Sequence, residues 1–238
     1  MTTAPVIAQV TSAVTLEDLL AFSHTPLAQL DSICHGLTSL VDQARFQSLR
    51  NRIDVVVGAV RPAGSTDTKK QWESRKSVLK GKLFEQLVGL ILDSAVIFDN
   101  YHHIQTLTNE IDWLVIFAPM RFLVPAMGSW GAHFLCECKM TKKALDTNWV
   151  SRLNTLLQTQ AASVAVIFTA TEAGNKGNSG RTLRLIEDLS IGANRFIIRV
   201  SMDELQMCAS MQRNLLHLLS EKFLQLRVRS DKLKLIAN

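Results

Sequence analysis

Four ionisable side chains stand in apolar surroundings: Glu85 in KLFEQLVGL, Asp112 in NEIDWLVIF, and Glu137 and Lys139 in HFLCECKM. An unpaired charge inside a protein costs several kcal/mol, so such residues need partners. Two carboxylates on adjacent strands repel, and each tends to take up a proton; a divalent cation between them reverses that tendency. Mg²⁺ takes hard oxygens, keeps several waters and is commonly held by one or two carboxylates with a substrate phosphate. Asp112 and Glu137 have this chemistry, and the backbone carbonyl of Cys138 offers a third oxygen. Lys139 then stands beside the attacking water, with charge to orient it and to contact a phosphate, while the metal lowers the water's pKa.

These side chains need a sheet. In a strand over FLCECKM, alternation puts Leu135, Glu137 and Lys139 on one face and Cys136 and Cys138 on the other. The runs AVIFDNYHHIQTL, IDWLVIF and AHFLCECKM read as strands, and SVAVIFTA reads as a central strand buried on both faces. Before them, KKQWESRKSVLKGKLFEQLVGLILDSA has the apolar rhythm of a long helix, with Trp72, Val78, Leu79, Leu83, Phe84, Leu87, Val88 and Ile91 recurring at helical intervals. TNWVSRLNTLLQTQAA and TLRLIEDLS read as helices and NRFIIRVS as a strand. SMDELQMCASMQRNLLHLLSEKFLQL reads as one closing helix, with Ser201 as N-cap and Glu204 in the capping-box position. RPAGSTDTKK (61–70) is the clearest linker, so the chain divides into a helical N-terminal region, 1–70, and an α/β domain, 71–238. Within the former, Thr15 and Asp18 suggest a helix start, and 27–57 reads mostly helical.

The order helix, three strands, helix, strand, with an acid on the first helix, Asp in the second strand and E-x-K in the third, resembles the PD-(D/E)XK nuclease superfamily over residues 73–170. This is the restriction-endonuclease-like group that includes Holliday-junction resolvases and Mrr-like enzymes. The chain departs from the motif in having Ile111, not Pro, before Asp112. The resemblance implies a mixed β-sheet flanked by helices with an αβββαβ core, to which the N-terminal helical region and a C-terminal helix are added. It implies catalytic roles for Asp112, Glu137, Lys139 and Glu85, with Glu85 reaching Mg²⁺ directly or through water and Mn²⁺ able to substitute. It also implies hydrolysis of DNA phosphodiesters by activated water, leaving a 5′-phosphate and a 3′-hydroxyl; RNA is the other substrate class.

Around this core, Lys142, Lys143, Arg152, Lys176 and Arg181 are placed to contact phosphates. Gln158, Gln160 and Glu110 are accessory candidates. His102 and His103 are adjacent in a strand and should face opposite ways, leaving at most one for the site. The loop GNKGNSG lacks the GxxxxGK[ST] pattern of an NTPase.

Bulk properties agree with a globular nucleic-acid enzyme without requiring one. Hydrophobic residues make up 47% and charged residues 20%, enough for a real core, and the net charge of +5 is mild support for a polyanionic partner. Four cysteines without zinc-site spacing read as reduced thiols, and no apolar run approaches a membrane span. The expectation is a cytoplasmic protein without signal peptide or membrane partner. Cutting both strands of a duplex favours a homodimer. Two other readings compete with the nuclease: a catalytically inactive relative that binds nucleic acid or scaffolds a complex, and an interaction domain whose charges are structural.

Overall fold

The computed structural model describes residues 27–105, 110–140, 146–170 and 179–237. The expected helix start at Thr15 and the residues Lys142, Lys143 and Lys176 lie outside them.

Helices α1 (Leu27–Gly36) and α2 (Gln43–Gly58) precede the long α3 (Lys69–Leu92). Thr68 starts α3 with a reciprocal cap: its hydroxyl accepts from the Gln71 N–H, and the Gln71 side chain accepts from the Thr68 N–H. Leu83, Phe84, Leu87, Val88, Ile91 and Leu92 are buried on the sheet, whereas Val78 and Leu79 in the first half are exposed. That half packs beside α2, where Lys76 Nζ donates to the Ala59 carbonyl at 2.7 Å.

The strands are β1 (Phe98–Gln105), β2 (Glu110–Phe117), β3 (His133–Lys139), β4 (Val164–Thr169) and β5 (Phe196–Ser201). They lie in the order β1-β2-β3-β4-β5. The first three run antiparallel and the last two join in parallel. A short 3₁₀ turn (Pro119–Leu123) and a helical turn, α4 (Pro125–Gly128), link β2 to β3. The parallel pairs require crossovers, supplied by α5 (Thr147–Thr159) and α6 (Ser179–Gly192). Both faces of β4 are covered, which is why every position is buried and all but the last, Thr169, are apolar.

One face of the sheet presents Val115, Phe134, Cys136, Val166 and Phe168 to a large core shared with α3 and the C-terminal helices α7 (Met202–Ala209) and α8 (Leu215–Ala237). The other presents Leu135, Ala165, Ile167 and Ile197 to α5 and α6. The general architecture is therefore α/β, a mixed sheet flanked by helices.

One expectation changes. The closing segment is two helices, not one. Met211 has φ 59°, a left-handed backbone that ends α7, and Asn214 Oδ1 then accepts from the N–H of Leu216 at 2.8 Å to start α8. The helices before residue 70 pack into the same core as those after it. Cys34, Leu37, Phe46, Leu49 and Ile53 belong to the same buried cluster as α3 and α8. Asn214 Nδ2 ties the two ends of the chain together by donating to the Cys34 carbonyl (2.9 Å) and Thr38 Oγ1 (2.8 Å).

Candidate active site

The site is made by a fork between strands. β2 and β3 pair from Ile116–His133 to Trp113–Cys136. β3 continues beyond that point, paired with β4 as far as Lys139–Thr169. The strands thus separate where Asp112 and Glu137 would stand opposite each other. On its other side β2 skips a step as well: Trp113 pairs with His102 and Ile111 with Ile104, but Asp112 and His103 form no pair in the ladder. Alternation is broken here, since Ile111 packs in the cluster under α5 and Trp113 in the cluster under α3.

Asp112 closes the fork with its side chain. Its Oδ2 accepts the Cys138 N–H at 2.6 Å, in place of a ladder bond. In an extended strand a residue's N–H and carbonyl point to the same side. The Cys138 carbonyl therefore turns toward β2 and into the fork, while the Lys139 carbonyl is taken on the β4 side by the Ala170 N–H at 3.1 Å.

Glu137 is 3% exposed on the central strand. Its Oε1 lies 2.5 Å from Lys139 Nζ and 4.0 Å from an Arg152 guanidinium nitrogen. Its Oε2 is buried with no hydrogen-bond partner. Lys139 Nζ also sits 3.7 Å from the centre of the Trp149 ring, an aromatic lid from the first turn of α5. Asp146 fixes that turn by accepting the Trp149 N–H at 3.0 Å. Burial raises the Glu137 carboxyl above its ordinary range, the Asp112 charge raises it further, and Lys139 and Arg152 pull it back. The thiols of Cys136 and Cys138 are pushed well up, first by burial and then by Asp112, so both stay protonated and unreactive.

Asp112, Glu137, Lys139 and Arg152 come together at one end of the sheet. Arg152 has a second contact, donating to the Glu110 carbonyl at 3.2 Å. Arg181 is exposed on the first turns of α6, which follows the same end of β4. Gln158 and Gln160 do not join the group. They close α5 near the start of β3, where the Gln160 carbonyl lies 3.0 Å from His133 Nε2. At about 3.3 Å per residue, the length of β3 separates them from Lys139.

Glu85 belongs to a second cluster on the α3 side. Its Oε2 is 3.4 Å from Nε2 of His102 and 3.4 Å from Nε2 of His103. Glu110 reaches the same cluster, with Oε1 3.1 Å from His103 Nδ1. The Cys138 thiol feels the charges of Asp112, Glu85 and Glu137 together. Both imidazoles approach Glu85, contrary to strict alternation, because His103 has φ 51° and turns the backbone there. A His-His pair in a strand was the visible signal, and only that backbone turn makes it a cluster. Trp149 is the other residue missed; an aromatic opening the helix after E-x-K was its only trace.

The donor set in the fork fits a hard divalent cation: an unpartnered buried oxygen on Glu137, the second oxygen of Asp112, and the Cys138 carbonyl. The chain matches no protein-family model, and no curated protein matches it closely enough to show kinship. Among the described residues, no helix is long and apolar enough to cross a membrane.

Proposed function

We propose that the chain is a metal-dependent endonuclease of the PD-(D/E)XK kind, hydrolysing DNA phosphodiester bonds in restriction, phage defence or repair. The observation that supports it most is Glu137: a carboxylate on a central strand, one oxygen on Lys139 and the other buried without a partner, beside a second acid held in a strand fork. Asp112, Glu137 and the Cys138 carbonyl are the residues to hold Mg²⁺, or Mn²⁺ in its place. When bound, that ion lowers the pKa of water and offsets charge on the phosphoryl oxygens.

The chain's own groups do the rest. Lys139, held between Glu137 and the Trp149 face, presents its ammonium to a phosphate oxygen and orients the attacking water. The water oxygen bonds to phosphorus and gives up a proton, the bond to the 3′ oxygen breaks, and that oxygen takes up one proton from the surrounding water, so that one water is consumed in total. Arg152 and the exposed Arg181 anchor neighbouring phosphates. Trp149 shields the lysine from bulk water, which strengthens its pull on the phosphate.

The test is cleavage of supercoiled plasmid and of single-stranded DNA with Mg²⁺, Mn²⁺ or EDTA, beside Asp112→Ala and Lys139→Ala. Cutting that needs metal and is lost in both folded variants is the expected result. Equal cutting by the variants would overturn the assignment. One observation favours the non-catalytic alternative: Glu85, the acid the family places on its first core helix, is engaged with two histidines. Binding of DNA by the intact protein without cutting in any metal would establish that reading.

A further inference from the structure

We infer that Glu85, His102 and His103 form a binding site for a transition-metal ion of the zinc class, separate from the acidic fork and independent of the nuclease reading. The carboxylate and both imidazoles offer one ligand atom each, all within 4.8 Å of one another. The spacing suits a small tetrahedral ion. Bonds of about 2.0–2.1 Å to nitrogen and about 2.0–2.2 Å to oxygen place the corners of the tetrahedron about 3.4 Å apart. Glu85 Oε2 stands 3.4 Å from Nε2 of His102 and from Nε2 of His103.

The same distances are too long for good hydrogen bonds, and Glu85 Oε2 is buried with no hydrogen-bond partner. A plain Glu–His pairing would have satisfied it. The surroundings are those of a supported ligand set. Glu110 Oε1 lies 3.1 Å from His103 Nδ1, the arrangement that fixes a ligating imidazole's tautomer and leaves Nε2 as the donor to metal. The His102 ring stacks on Trp113, with centres 4.2 Å apart. Trp113 is in turn pressed against Gly89, one turn along α3 from Glu85. The two histidine side chains are 33% and 44% exposed, so the fourth position faces solvent. Two nitrogens and one carboxylate oxygen favour Zn²⁺ over Mg²⁺, which takes oxygen ligands. The fork, with oxygen donors alone, has the opposite preference.

The experiment is titration of the chelator-stripped full chain with Zn²⁺ in excess Mg²⁺, read by calorimetry and by metal content after dialysis. Co²⁺ serves as a spectroscopic stand-in whose visible absorption reports four-coordination. One Zn²⁺ per chain is expected, retained against millimolar Mg²⁺. Glu85→Gln and His103→Gln should each abolish retention. Glu110→Gln, a milder change outside the ligand set, should weaken binding about 10- to 100-fold. Glu137→Gln should leave zinc affinity unchanged, which separates this site from the proposed catalytic one. The inference is overturned if no Zn²⁺ is retained, if Mg²⁺ displaces it, or if folded Glu85→Gln and Glu110→Gln bind as the parent does.

Discussion

Asp112 on β2 accepts the backbone N–H of Cys138 on β3 through its side chain, at 2.6 Å, one residue past the last ladder pair on β2 and two past it on β3. A side chain thus stands in for the backbone at the point where the sheet opens. The bond fixes the carboxylate at the fork, where its charge is felt by Glu137, and sets the direction of the peptide that follows Cys138.

Substitution at Asp112 separates this structural role from the chemical one. Asp112→Asn keeps an acceptor for the Cys138 N–H and should fold with stability close to the parent while losing metal-dependent cleavage. Asp112→Ala leaves that N–H without its partner, and urea unfolding should show a further loss of about 1–2 kcal/mol.

Glu137 imposes a pH dependence whose sign follows from its raised carboxyl. The folded protein holds this proton above the range where the unfolded chain releases it, so folding is favoured at low pH and loses that contribution as pH rises from about 4.5 through the folded value. Thermal melts in EDTA should show the parent losing stability relative to Glu137→Gln across that window. Saturating Mn²⁺ should reduce the loss, because a cation stabilises the ionised form. Parallel pH profiles of parent and variant in EDTA would contradict the electrostatic account.

Gly89 permits the approach of α3 to β2. A Cβ at this position would meet two carbons of the Trp113 ring at 2.6 and 2.7 Å. The indole is buried and cannot move aside, so Gly89→Ala should destabilise by about 1–3 kcal/mol in denaturant unfolding. Displacing the helix also shifts Glu85, so the variant's zinc affinity should fall.

Asn214 tests the unity of the core. It is 4% exposed, donates to Cys34 and Thr38, and accepts from the start of α8. Asn214→Ala removes the acceptor for the first N–H groups of α8, while the Cys34 carbonyl keeps the Thr38 hydroxyl at 2.6 Å, and should cost about 1–2 kcal/mol. The whole chain should still unfold in a single transition, followed in parallel by tryptophan fluorescence and by circular dichroism.

Periodicity was enough to identify the strands, the helices between them and the mixed α/β class. Alternation along FLCECKM also correctly separated Leu135 from Cys136, which pack in different clusters. These are local properties: a strand's faces and a helix's stripe follow from geometry within a few residues. The same locality explains the misses. A helical rhythm runs straight through Met211, and nothing in it announces a left-handed turn there. Val78 and Leu79 have the spacing of a buried stripe but remain largely exposed among the described residues.

Residue types and order alone nominated Asp112, Glu137 and Lys139 as a group, because ionised side chains amid apolar strands demand partners from elsewhere in the chain. Only the folded arrangement could say which partners they have. It placed Trp149 over the lysine and Arg152 near Glu137, left Gln158 and Gln160 at the far end of β3, and set Glu85 among His102, His103 and Glu110. Those outcomes depend on where β2 and β3 part and on one positive φ at His103, and both arise from packing between segments distant in sequence.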